Sequence, residues 1–185
     1  LVDGKRMGKS LGNAYLVDDL EKRGFDPLAL RYLYLTGNYR EIFNFTWESL
    51  QAAQNALSNL RNEIRAWEHP KVMDNDYWQK FLDAANNDLN MPQALASMWE
   101  MVKSDLPTAV KSATLLQMYK VLGLKLDEYI GKPLEIPAKV QELVEKREHA
   151  RKSGDFKKSD ELRSKIKKLG FEVEDTPQGP KLKKS

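Results

Sequence analysis

The positions Trp47, Leu50, Ala53, Leu57, Leu60, Ile64 and Trp67 follow one another at steps of three or four residues. That is the period of a helix burying one face. Thr46 offers a hydroxyl cap in front of this stripe, and His69-Pro70 a stop behind it. Shorter stripes follow. One runs from Tyr77 through Phe81 to Ala85, one after Pro92 carries Leu95, Met98, Trp99 and Val102, and one carries Val110, Leu115, Leu116, Tyr119 and Leu122 up to Gly123. Four helices over residues 46–130 with short connections predict an antiparallel bundle. Its tryptophans and methionines read as core packing.

Residues 1–45 precede the bundle. Asp18 or Asp19 starts a short helix that Gly24 ends, and Asp26-Pro27 caps a second one that Gly37 closes. Leu28, Leu30, Tyr32, Leu33 and Leu35 make that second helix apolar on most sides, as in an element held between two layers. Residues 131–137 carry Gly and Pro without periodicity and read as a linker. Residues 138–185 then predict a small α+β mini-domain. Val140, Leu143 and Val144 mark a helix running to about Arg151, and Asp155 caps another with Phe156, Leu162, Ile166 and Leu169 inward. Gly170 stops it, Phe171 to Glu174 alternate as a strand, residues 175–179 form a turn, and Leu182 sits in a short return strand. The fold class expected is mainly α, a helical bundle plus this mini-domain.

The chain has 185 residues with a hydrophobic fraction of 41%, and no apolar run approaches the length of a bilayer span. It has no cysteine, which excludes disulfides and thiolate metal sites within it and fits a cytoplasmic protein. The net charge of +3 is uneven: residues 139–185 hold 14 Lys/Arg against 9 Asp/Glu, and the remainder 16 against 18. The basic end would attract a polyanion, although such helices are often only solvated faces.

Candidate chemistry sits first at Arg6-Met7-Gly8-Lys9-Ser10, followed by Leu11-Gly12-Asn13. Gly8 permits close backbone approach and Lys9 a flexible cation, both suited to phosphate. The segment resembles the Lys-Met-Ser-Lys-Ser signature of class I aminoacyl-tRNA synthetases, with Arg6 in place of the first lysine and Gly8 in place of the first serine. Three further stretches are similar to the cysteinyl-tRNA synthetases. They are Phe25-Asp26-Pro27 through Asn44-Phe45, Asp88-Leu89-Asn90 with Pro92-Gln93-Ala94-Leu95, and Ala150-Arg151 through Asp155-Phe156 and Asp160 to Glu174-Asp175-Thr176-Pro177-Gln178-Gly179. Leu182 stands where that family often has tryptophan.

The resemblance implies a C-terminal portion of an ATP-dependent cysteine–tRNA ligase, opening just before its lysine loop. Residues 1–45 would be the loop and a connecting segment, 46–130 an anticodon-binding type of bundle, and 138–185 the anticodon-recognition mini-domain. Lys9, with Ser10 beside it, would act on the ATP phosphates during adenylate formation. Arg151, Asp160 and Asp175 would contact anticodon bases, with Phe156 as the accompanying aromatic. The same carboxylates could instead be ordinary caps or helix ion-pair partners. A helix ending at Arg151 beside one starting at Asp155 would let Arg151 and Asp160 face one pocket.

The partners expected are cysteine tRNA, together with ATP and cysteine in the whole enzyme, which would act as a monomer away from membranes. The family's zinc belongs to a catalytic domain, so no metal is expected in this chain, and the chain alone is expected to make no adenylate. Residues 1–15 are expected to be mobile, with proteolysis there and near Gly131. Two other readings stand beside this one: a related ligase joining cysteine to a small amine, and a free-standing RNA-binding module. The segment from Glu174 to Gly179 and the basic tail argue against the small-amine ligase; contiguous upstream coding sequence would exclude the free-standing module.

Overall fold

The computed structural model describes residues 1–176 and 179–184, which form two compact units, Leu1–Lys132 and the remainder from Pro133. Within the first, α1 (Val17–Lys22) and α2 (Pro27–Leu35) lead into α3 (Trp47–Ile64), α4 (Asn75–Asn86), α5 (Met91–Lys103) and α6 (Thr108–Leu122). Asp26 caps α2 by accepting from the Leu28 amide, and Thr46 caps α3 by accepting from the Ser49 amide, as their residue types predict. Asp74 and Asn90 do the same for α4 and α5. Helix α2 packs on α3, α4 on α5, and α6 on both α4 and α5. Leu50, Leu60, Ile64, Phe81, Met98, Met101, Leu115, Met118 and Leu122 are wholly buried between them. The tryptophans and all of the bundle's methionines but Met73 do pack the core, with Met98, Met101 and Met118 wholly buried in it.

Helix α6 departs from a one-sided stripe. Lys111, Ser112 and Thr114 are buried along with its apolar residues. Each is satisfied: Lys111 Nζ donates to the Val102 carbonyl at 3.0 Å and Ser112 Oγ to the Glu68 carbonyl at 2.7 Å. Thr114 Oγ1 accepts from the Asp74 amide at 2.8 Å. The Ser112 and Thr114 bonds draw the connection after α3 down onto α6. For that reason α3 ends at Ile64 rather than at His69-Pro70, and Trp67 is buried beyond the helix end.

Two further expectations need correcting. Gly37 does not close α2, whose last turn is capped by Thr36; a Cβ on Gly37 would lie 3.1 Å from the Phe43 ring, so the position is small because an aromatic packs on it. Residues 1–5 are also anchored rather than loose. Val2 is buried and bridges Phe45, the Asp3 amide donates to the Phe45 carbonyl at 2.9 Å, and the Phe45 amide to the Leu1 carbonyl at 2.9 Å. At the far end the Gly131 amide donates to the Ile64 carbonyl, closing the chain onto the end of α3.

The second unit contains α7 (Ala138–Lys152) and α8 (Phe156–Lys168), packed together as a hairpin, and an antiparallel pair, β1 (Phe171–Thr176) with β2 (Gly179–Lys184). Val140, Val144, Ile166, Phe171 and Val173 form its core, and Leu182, paired across from Val173, packs on it. Asp155 caps α8 by accepting from the Lys158 amide. The strands run longer than the alternation suggested, so Asp175, Thr176 and Gly179 are strand residues, while Pro177 and Gln178 of the expected turn lie outside the described residues. The inward line of α8 is Ser159, Leu162 and Ile166. Phe156 sits about a quarter turn away from it and is 67% exposed, and Leu169 at the helix end is also exposed, contrary to the inward placement expected.

Candidate nucleic-acid interface

In the first unit the loop carrying Arg6, Lys9 and Ser10 is exposed, and Lys9–Leu11 make a single 3-10 turn closed by Gly12 in the left-handed region at φ 65°. Asn13 shapes it. Its Oδ1 accepts from the Gly8 amide at 2.9 Å while its Nδ2 donates to the Arg6 carbonyl at 3.0 Å. One side-chain amide therefore holds the backbone on both sides of Met7, leaving the Lys9 and Ser10 side chains free to meet a ligand. Behind the loop, Tyr15, Phe25 and Phe45 surround Trp47, and the Arg23 guanidinium lies 4.0 Å from the centre of the Trp47 ring.

In the second unit Asp175 is the hub. Its Oδ1 accepts from Arg147 Nη1 and its Oδ2 from Arg147 Nη2, both at 2.9 Å, and Oδ2 also accepts from Arg151 Nη1 at 2.7 Å. Arg147 and Arg151 are four apart on α7 and so share a face. Arg147 Nη1 additionally donates to Glu148 at 2.7 Å. The Arg147 side chain is 1% exposed, whereas those of Arg151 and Asp175 are 41% and 36% exposed. The Arg147 hydrogen bonds hold the Asp175 carboxyl below the usual carboxylate range, with the charges of Arg151 and Arg163 assisting and burial opposing. The Arg147 guanidinium is pushed up, first by its hydrogen bonds to Asp175, and the Asp160 charge adds to that.

The predicted residues are therefore distributed unequally. Asp175 and Arg151 are in direct contact. Asp160 is exposed on α8 and acts on this cluster through its field, with no hydrogen bond to Arg151 among the described residues. Phe156 precedes Asp160 by one helical turn and offers an open ring. A separate cleft of about 430 Å³, lined by Lys146, His149, Ser153 and Lys158 among others, includes none of the four. Sequence reasoning missed Arg147. The signal was its position in the buried stripe Val140, Val144, Arg147, Ala150, where a cation must find a partner. Among the described residues no group of three or more His, Asp or Glu is placed to hold a metal ion.

Comparison with known proteins bears directly on this unit. Residues 134–180 match the family described as the cysteinyl-tRNA ligase anticodon binding domain, a stretch that contains Arg147, Arg151, Asp160 and Asp175. That match places residues 134–180 of the second unit with the anticodon binding domains of that family. The chain is also 42% identical to the cysteine–tRNA ligase 1 of Burkholderia lata, over 96% of this chain and 38% of the relative. It is 40% identical to the cysteine–tRNA ligase of Opitutus terrae, over 98% of this chain and 39% of the relative, and 38% identical to that of Chlamydia abortus, over 100% and 43%. The chain spans about two fifths of the length of these curated relatives. It corresponds to a C-terminal portion of the cysteinyl-tRNA synthetases.

Proposed function

We infer that the chain serves an ATP-dependent cysteine–tRNA ligase by docking cysteine tRNA and reading its anticodon. The observation that carries this is the Arg151–Asp175 pair, with the exposed Asp160 and the open Phe156 ring one turn apart on α8, inside the stretch that matches an anticodon binding family. Unpaired anticodon bases expose their edges and faces. Arg151, with Nη1 on Asp175, keeps further guanidinium N–H donors for a base edge, the carboxylates accept from amino or imino groups, and Phe156 gives a surface for stacking. Asp175 retains one lone-pair direction on Oδ1 for that purpose, because the other three are taken by arginine donors. The lysines around α8 and β2 would hold phosphates without regard to sequence.

Lys9 serves the other half of the reaction. On the Asn13-closed loop it can follow the ATP phosphates and stabilise charge that develops as the cysteine carboxylate attacks, with Ser10 adjacent. Adenine and cysteine would be held by the catalytic domain of the whole enzyme, where the zinc of the family also belongs. This reading assigns the chain no adenylation by itself, since positioning of the reactants is worth about 7–11 kcal/mol of barrier.

Paired titrations of cysteine tRNA and an anticodon-swapped tRNA test the base-reading role at fixed salt. Arg151→Ala is expected to shrink the ratio of the two affinities, by about 1–3 kcal/mol if a bidentate base contact is lost. Lys183 is a poor phosphate control because it pairs with Glu174. Lys157→Ala, from an exposed position on α8, is expected to weaken both tRNAs equally. An unchanged ratio in Arg151→Ala removes Arg151 from base reading.

A further inference from the structure

The largest fully buried side chain among the described residues is Arg147, and it lies in the smaller of the two cores. As a stabilising device it is poorly chosen. Its Nε is buried without a hydrogen-bond partner among the described residues, and burying a guanidinium carries a desolvation penalty that an apolar side chain of similar volume avoids. The position packs with Val140 and Val144 on the inward stripe of α7, where a methionine would fit the pattern without that penalty. The guanidinium must therefore matter for what it does to its neighbours.

What it does is geometric. A planar fork meeting both carboxylate oxygens at 2.9 Å fixes the plane and the direction of the Asp175 carboxylate, which one bond or a point charge would leave free to turn. The carboxylate so fixed then offers Oδ2 to Arg151 Nη1 and orients a side chain that is otherwise two-fifths exposed. The chain of contact runs from a wholly buried group, through a part-exposed one, to the most exposed. We propose that Arg147 is a positioning residue for base recognition: it touches no RNA itself, and it presets Asp175 and Arg151 in the orientation in which they meet the anticodon. This rests on the anticodon-reading role proposed above. Preorganisation of this kind raises the affinity for the matching ligand and does little for nonspecific phosphate contacts, because the ordering is done before binding.

The test uses the 185-residue chain as Arg147→Met and Arg147→Lys, titrated with cysteine tRNA and an anticodon-swapped tRNA at several salt concentrations. Arg147→Met removes the buried charge and leaves the carboxylate of Asp175 with Arg151 and solvent, so the fold is expected to survive. Arg147→Lys keeps the charge and removes the fork. In both, the ratio of affinities for the two tRNAs is expected to fall about tenfold, while the affinity for the swapped tRNA and the salt slope stay at wild-type values. Val144→Ala, which loosens the same core without touching the fork, controls for a merely structural effect and is expected to keep the wild-type ratio. If wild type discriminates and either Arg147 variant discriminates equally well, Arg147 is not a positioning residue while the anticodon reading stands. An equal loss of ratio in Val144→Ala also overturns the proposal. If wild type itself fails to discriminate, the anticodon reading falls, and this role falls with it.

Discussion

In the first unit the largest side chains that leave solvent completely are Phe81, Leu50, Leu57, Leu60, Ile64 and their apolar neighbours; in the second the largest is an arginine. The bundle is held by burial, which is nondirectional and involves no titrating group. The buried polar groups Lys111, Ser112 and Thr114 of α6 each close a bond to a backbone group packed against it. The smaller unit has five buried apolar residues in its core cluster, together with one directed ion network. The difference teaches where orientation matters. A scaffold needs volume filled, whereas a surface proposed to read base edges needs its donors and acceptors aimed.

Substitution separates the two modes. The largest effect is expected from Phe81→Ala, which empties a wholly buried site in the bundle and costs about 3–5 kcal/mol. Calorimetry with amide NMR on the 185-residue chain should show the α3–α6 signals melting earlier while those of α7, α8 and the strands keep their wild-type midpoint. A common shift of both sets would mean that the units do not unfold independently.

Next comes Asp175→Ala. It strands the Arg147 guanidinium in the core with Glu148 as its remaining carboxylate partner, and breaking a buried pair in this way costs about 3 kcal/mol or more. Arg147→Met, by contrast, is expected to cost under about 1 kcal/mol, because the carboxylate left behind is part-exposed and still meets Arg151. Equal losses in chemical denaturation would show that the pair stabilises the unit in the ordinary way. Acid should act with the same regional preference. The folded Asp175 carboxyl is held below its ordinary value, chiefly by the Arg147 hydrogen bonds, so its contribution is complete above about pH 4 and is lost as pH falls from there through the depressed folded value. In the bundle Asp88 is lowered in the same sense by its bonds to Arg40 and Tyr39, but that pairing is exposed and ties residues 39–40 to the turn before α5 rather than holding the core. Acid titration followed by NMR should therefore loosen β1 and α7 before α3–α6, and the reverse order would contradict the contrast.

An effect smaller than that of Asp175→Ala tests the junction of α2 with α6. Gly123 ends α6 at φ 66°, and an added Cβ would stand 2.7 Å from Arg31 Nη2, whose Nε already donates to the Leu122 carbonyl. Gly123→Ala is expected to cost about 1–2 kcal/mol, from left-handed backbone strain together with displacement of that guanidinium. A neutral result would indicate that Arg31 can leave without loss.

The bundle was legible because burial leaves a period in the sequence. Thr46, Asp26 and Asp155 were readable as caps for the same local reason, and Asn90 joins them in the structure. The departures come from contacts made across distance in sequence. Helix α3 stops early because residues near Glu68 are drawn to Ser112, and Gly37 answers to Phe43 rather than to the helix end. Residues 1–5 are ordered by a segment some 40 positions away. In the candidate site the motif residues could be named, but the pairing of Asp175 with Arg147 joins a helix to a strand 28 residues later. No local pattern fixes such a distance, and only the oddity of an arginine within an apolar stripe pointed towards it.

The account as a whole turns on which part of the RNA meets the second unit. Nucleotide protection on cysteine tRNA, mapped base by base with the wild-type chain and with Asp160→Asn and Arg151→Ala, tests this most directly. The account predicts that wild type shields the Watson–Crick edges of the anticodon bases and that each variant uncovers part of that set while phosphate protection elsewhere persists. Anticodon bases that stay fully reactive in the wild-type complex, with protection confined to the backbone, would contradict it.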